Sequence, residues 1–141
     1  MKISVRNRQN ILRINVLFIK RLVRYVLKEE QAAEKGEISL CVTDDPGIRR
    51  LNKAYLGKDC PTDVLSFDLS DEKAGLYADI IVSTETACAY SRKFRTDPAY
   101  ELHLYLVHGI LHILGYDDRT KKERDRMHKR ELQLLKTFVF R

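Results

Sequence analysis

Two histidines, His108 and His112, stand four residues apart in the run HGILHILGYDD, residues 108–118. Four residues of α-helix advance the chain by about 400°, so both imidazoles would share one face, one turn apart. Imidazole nitrogens so placed can converge on one divalent ion, at about 2.0–2.1 Å from each. The neighbours Leu104, Leu106, Val107, Ile110, Leu111, Ile113 and Leu114 are apolar, and imidazoles buried among them without partners cost free energy. A metal ion would satisfy both rings. So would hydrogen bonds to main chain or carboxylates, and for a bare HxxxH pattern that second reading is the commoner one.

Gly115 shifts the balance. A glycine just past a helix permits a left-handed turn, after which Asp118 comes back toward the helix end. The four residues then read H-x3-H-x2-G-x2-D. Metzincin proteases use this ligand spacing, with histidine or occasionally aspartate in the third place. Two imidazoles and a carboxylate leave a fourth position for water, whose pKa such an ion lowers to about 7. Asp117 is adjacent and is the alternative carboxylate; the spacing favours Asp118. Zincin peptidases carry a glutamate general base directly after the first histidine, and that position here is Gly109. The metal-bound water is therefore the expected nucleophile with no side-chain base assigned, and substrates other than peptides are favoured.

These residues need a scaffold. Ile3 to Val5 suit a short strand. Ile14, Leu17, Phe18, Leu22, Tyr25 and Val26 have helical spacing, which predicts a helix from about Asn15 to Ala33, closed by Gly36. EISLCVTD alternates, with Ile38, Leu40 and Val42 on one face of a strand. Asp45 and Pro46 read as the cap and first position of a helix with Ile48, Leu51 and Tyr55 inside and Gly57 at its end. DVLSFDL and ADIIVS are two further strands. Ser83 or Thr84 caps a helix reaching about Phe94, and Asp97 with Pro98 starts the histidine helix. Thr120 to Glu123 has capping-box spacing for a last helix, with Met127, Leu134, Leu135 and Phe138 on its inner side. The sum is an α+β fold, with a small mixed four-stranded sheet and about five helices, in one domain over residues 1–141. His103 lies about 140° round the helix from His108 and points elsewhere. His128 reads as a surface imidazole.

With 26 Lys and Arg against 20 Asp and Glu, the net charge is +6 and the sequence pI about 9.3. A basic surface favours polyanions such as RNA. The apolar share is 44%, that of a globular chain. No run approaches the roughly 20 apolar residues of a membrane span, and MKISVRNRQN lacks the apolar core of a signal peptide. Cys41, Cys60 and Cys88 form no CxxC pair, so reduced thiols in a cytoplasmic protein are expected. No GxGxxG or P-loop occurs, so no nucleotide cofactor is expected. Among acidic and hydroxyl residues, Thr62, Asp63 and Ser66 are candidates for a substrate groove or for contacts behind the histidines. Asp79 is a candidate carboxylate for a metal-bound imidazole's second nitrogen.

HGILHILGYDD resembles the signature of the YbeY family, usually written HGxLHLxGYDH. CPTDVLSFDL, Cys60 to Leu69, resembles its second hallmark and ADIIVS its third, in order from about Asn52 to Asp118. The resemblance implies a zincin-like fold. It also implies a zinc-dependent endoribonuclease of single-stranded RNA, active in maturing the 3′ end of 16S rRNA and in ribosome quality control. Ribosomal or small-subunit proteins are implied partners. His108 and His112 match the first two family ligands. Asp118 stands where the family usually has a third histidine, which makes the site harder and another divalent ion more competitive. The family commonly has arginine where this chain has Leu56, so Lys58, Lys53 and Arg50 are the nearest cations for a phosphate. Two alternatives stand beside this reading: a non-catalytic ribosome-assembly factor with a structural metal, and a zincin-type metallopeptidase.

Overall fold

The computed structural model describes residues 1–71 and 73–140. Its elements run β1 (Lys2–Asn7), α1 (Val16–Glu29), β2 (Gly36–Thr43), α2 (Asp45–Leu56), β3 (Val64–Asp68), β4 (Leu76–Ser83), α3 (Thr84–Phe94), α4 (Pro98–Ile113) and α5 (Lys121–Phe140). The strands form one sheet in the order β1-β2-β4-β3. β1 and β4 run parallel to β2, and β3 is antiparallel to β4 and forms an edge. The expected α+β architecture, a mixed four-stranded sheet with five helices, is what the described residues form.

Strand alternation divides the core in two. Ile38, Leu40 and Val42 of β2 and Ala78, Ile80 and Val82 of β4 face α1, α4 and α5, where Leu22, Val26, Leu106, Ile110 and Leu134 complete the main core. On the other face, Leu65 and Ile81 pack beneath Ile48 of α2. α4 is therefore covered nearly all round, which explains its apolar sequence: Leu102, Leu106, Val107, Ile110 and Leu111 are buried.

The caps follow their chemistry. Asn15, Ser83 and Asp97 each accept a hydrogen bond from a main-chain N–H in the first turn that follows. Thr120 Oγ1 accepts from Glu123 N at 3.1 Å. Two expectations need correction. The cap of α2 is Asp44, whose Oδ1 accepts from Gly47 N at 2.9 Å. Asp45 instead turns its carboxylate to the hydroxyls of Ser83 and Thr86, at 2.6 and 2.7 Å. Nor does Gly36 close α1. That helix stops at Glu29, and Gln31 takes a left-handed φ of 53°. Gly36 opens β2 at φ 135°, and an added Cβ would sit 1.9 Å from the Leu76 carbonyl oxygen of the paired strand.

Candidate active site

The histidine helix ends as its sequence suggests. Leu114 is half in, and Gly115 takes a φ of 106°. Tyr116 N donates to Leu111 O at 3.0 Å and Gly115 N to His112 O at 3.1 Å, the paired bonds of a Schellman turn. Tyr116 is then tied down: its hydroxyl donates to Glu30 Oε2 at 3.0 Å, while Arg130 Nε of α5 donates to Glu30 Oε1 at 2.6 Å.

His108 and His112 lie one turn apart on α4, on the side not filled by the core. The expectation of two buried imidazoles is corrected: His108 is half-buried and His112 is exposed. His108 Nδ1 lies 2.7 Å from Glu131 Oε2 of α5, and the Glu131 side chain is only 8% exposed. That hydrogen bond is the main reason the His108 pKa is raised above the usual imidazole value, against burial, which lowers it. The charges of Asp63 and Asp118 add to the rise. A proton held on Nδ1 leaves Nε2 with its lone pair free.

Asp118 is exposed in the segment after Gly115. Its N–H donates to Asp117 Oδ1 at 2.8 Å, and its carbonyl accepts from Arg124 Nη1 of α5 at 3.2 Å. Asp117 also faces Arg119 at 3.5 Å. It lines a cavity of about 430 Å³ with Leu114, Gly115, Tyr116, Glu123 and Arg126. Among the described residues no three His, Cys, Asp or Glu side chains are gathered closely enough to hold a metal ion. The donor set is thus half assembled. The imidazole pair fits a divalent ion in chemistry and spacing, and a carboxylate stands within electrostatic reach but out of coordinating position.

Gly109 explains a missing group. A Cβ there would meet Ile80 Cγ2 and Ser66 Oγ at 2.9 Å and Val64 Cγ2 at 3.2 Å. α4 presses on β3 and β4 at this point, so the peptidase glutamate has no room. The same contact places Ser66 against α4 at Gly109. Asp63 reaches His108 by its charge, while its carboxylate accepts from Val64 N at 2.8 Å and Thr62 Oγ1 at 3.2 Å. Thr62 and Asp63 therefore also close the turn into β3. Asp79 is not the carboxylate behind a histidine. It alternates with buried Ala78 and Ile80, so it sits on the sheet face away from α4, and Glu131 holds that place. Glu131 escaped sequence reasoning because it stands in a charged run. The available signal was its phase: with Met127, Leu134, Leu135 and Phe138 it completes the buried stripe of α5.

The expected phosphate cations are not gathered at the histidines. Arg50 and Lys53 belong to α2, across the sheet. They line a cleft of about 570 Å³ there with Arg49, Asp59 and Glu85. Lys53 lies 3.9 Å from Asp59, which Arg49 also binds at 2.7 Å. Lys58 follows α2 and is exposed, and Leu56 is 51% exposed at its end. Cations at the turn are Arg119, beside Asp117, and from α5 Arg124, with Arg126 over the Tyr116 ring at 5.6 Å. His103 packs its ring on Phe18 at 4.6 Å, and burial pushes its pKa down to about 4. His128 is 64% exposed and 3.7 Å from the other oxygen of Glu131. The three cysteines are free thiols. Among the described residues no helix is long and apolar enough to cross a membrane.

Residues 4–139 match the family described as Endoribonuclease YbeY. The Endoribonuclease YbeY of Syntrophotalea carbinolica is 34% identical over 139 residues, covering 94% of this chain and 92% of its own. That of Bacillus subtilis is 31% identical, covering 85% and 83%. The solution structure of a Thermotoga maritima protein superposes with a TM-score of 0.64 at 25% identity, over 94% of this chain and 87% of that one. Profile, relatives and fold concur, and the chain belongs to the endoribonuclease YbeY family.

Proposed function

We propose that this chain is a metal-dependent endoribonuclease that cuts single-stranded RNA. Its substrate is ribosomal RNA at the 3′ end of the small-subunit transcript, and it acts in the cytoplasm alongside small-subunit proteins. His108, His112 and Asp118 are its metal ligands, for zinc or another divalent ion. The observation that carries the reading is the imidazole pair on α4, with Glu131 on His108 Nδ1 so that Nε2 is left for an ion. When bound, such an ion polarises a phosphoryl oxygen and activates a water or hydroxyl at neutral pH.

The chain's own residues do the rest. The rigid turn of α4 spaces the two imidazoles. Asp118 swings about the exposed main chain after Gly115 to complete the set, the spacing that supports a zincin-like architecture. Arg124 and Arg126 stand where a phosphate at the turn would need positive charge. Ser66 offers a hydroxyl against α4 at Gly109. Arg50, Lys53 and Lys58 bind phosphates farther along a strand that passes over the β3 edge. The contacts that exclude a side chain at position 109 speak against a peptidase.

The test is cleavage by wild type and His108→Ala at controlled metal, on single-stranded and duplex RNA of one sequence. The expected result is at least a 100-fold loss in the variant and a preference for the single strand. Equal cleavage by variant and wild type would overturn the proposal. A 2′,3′-cyclic phosphate on the product would identify the ribose hydroxyl as the attacking group.

A further inference from the structure

Glu131 is costly where it stands. Its neighbours on the inner stripe of α5 are Met127, Leu134, Leu135 and Phe138, and it is 6% exposed. A leucine would continue that stripe, and a buried ionic pair is often no more stabilising than well-packed apolar residues of similar volume. Stability alone therefore gives little reason for a carboxylate here. The geometry supplies another. Oε2 lies 2.7 Å from His108 Nδ1, while Oε1 is 3.7 Å from His128 Nδ1. α5 packs along α4, so the carboxylate engages His108 through Nδ1 and leaves the ring's other nitrogen, Nε2, without this partner.

We infer that Glu131 is the positioning residue of the site. By accepting a hydrogen bond from His108 Nδ1–H it fixes the ring's tautomer and orientation and presents Nε2 as a metal donor. The inference rests on the proposal that His108 and His112 hold a divalent ion. The bland alternative is that Glu131 merely ties α5 to α4.

Three proteins separate these roles: wild type, Glu131→Leu and Leu134→Ala, the last a packing defect on the same stripe with no bond to His108. Zinc affinity is measured by competition with a chelating dye, and unfolding of the metal-free protein by urea. Glu131→Leu is expected to bind zinc about 10–100-fold more weakly while its metal-free form is as stable as wild type or more so. Leu134→Ala is expected to be less stable with unchanged affinity. Glu131→Gln, which keeps an oxygen acceptor, should recover most of the affinity. Independently of metal, imidazole nitrogen NMR of the neutral ring should show the Nδ1–H tautomer of His108 in wild type and its loss in Glu131→Leu. Unchanged affinity and tautomer in Glu131→Leu would overturn the inference alone. Wild type that binds no zinc would overturn the proposed function and this inference with it.

Discussion

Position 109 carries only a hydrogen, and α4 uses the space to lie against Ser66, Val64 and Ile80. Gly109→Ala adds a methyl group into those contacts, an overpacking change of about 1–3 kcal/mol. Urea unfolding should show that loss, and a variant as stable as wild type would mean that the helix and strands yield freely here. A second prediction belongs to His103. Its pKa in the folded protein is about 4, against 6.5 for an exposed imidazole. The folded state thus prefers the neutral ring. The stabilisation is complete above about pH 6.5 and is lost as pH falls toward 4, where the unfolded chain binds the proton first. His103→Phe should flatten the stability profile across that window relative to wild type, and identical profiles would contradict the assignment. At this scale the sequence was legible where spacing fixes placement, as for His108 and His112, one turn apart on α4. It was not for Glu131, because a glutamate amid lysines and arginines reads as solvated until its phase on the helix is weighed. Asp79 misled for the opposite reason: a lone acid in an apolar strand reads as functional, yet alternation turns it to the sheet face opposite α4.

At the scale of elements, the site depends on how α4 ends. The Schellman bonds at Gly115 and the Tyr116–Glu30–Arg130 tie fix where the chain leaves the helix. Tyr116→Phe removes one hydrogen bond, worth about 1 kcal/mol. Hydrogen exchange should speed up locally over the turn and spare the middle of α4; unchanged protection at the turn would show that the tie is idle. Two glycines give a ranked pair. At Gly115 an added Cβ meets nothing within 4 Å and only the positive φ is penalised, whereas at Gly36 it also runs into the Leu76 carbonyl. Gly36→Ala should therefore destabilise far more than Gly115→Ala, and the reverse order would contradict the register of β2 with β4. Periodicity and capping residues revealed every element, because amphipathic faces and caps are local. The stop of α1 and the cap of α2 stayed hidden. Gln31 has no intrinsic signal for a left-handed φ, and the adjacent acids Asp44 and Asp45 are told apart only by the distant hydroxyls of Ser83 and Thr86.

For the whole molecule, a net charge of +6 led to the expectation of a polyanionic partner but named no face, since its cations are spread over α1, α2, α3 and α5. RNA affinity should fall with salt, with a log–log slope of about −0.7 per phosphate contacted on a single strand. Arg50→Gln should make that slope shallower by about 0.7 if the cleft on α2 tracks the strand; an unchanged slope would confine RNA to the α5 side. Sheet order was likewise beyond the sequence, because β1-β2-β4-β3 is decided by pairings distant along the chain. The central claim is that His108, His112 and Asp118 meet at one cation. Anomalous diffraction from zinc-loaded crystals tests it most directly. One ion is expected on Nε2 of both histidines, with an Asp118 oxygen at about 2.0–2.2 Å. A zinc-loaded crystal with no ion on the two imidazoles, or with Asp118 still turned away from it, would contradict the account.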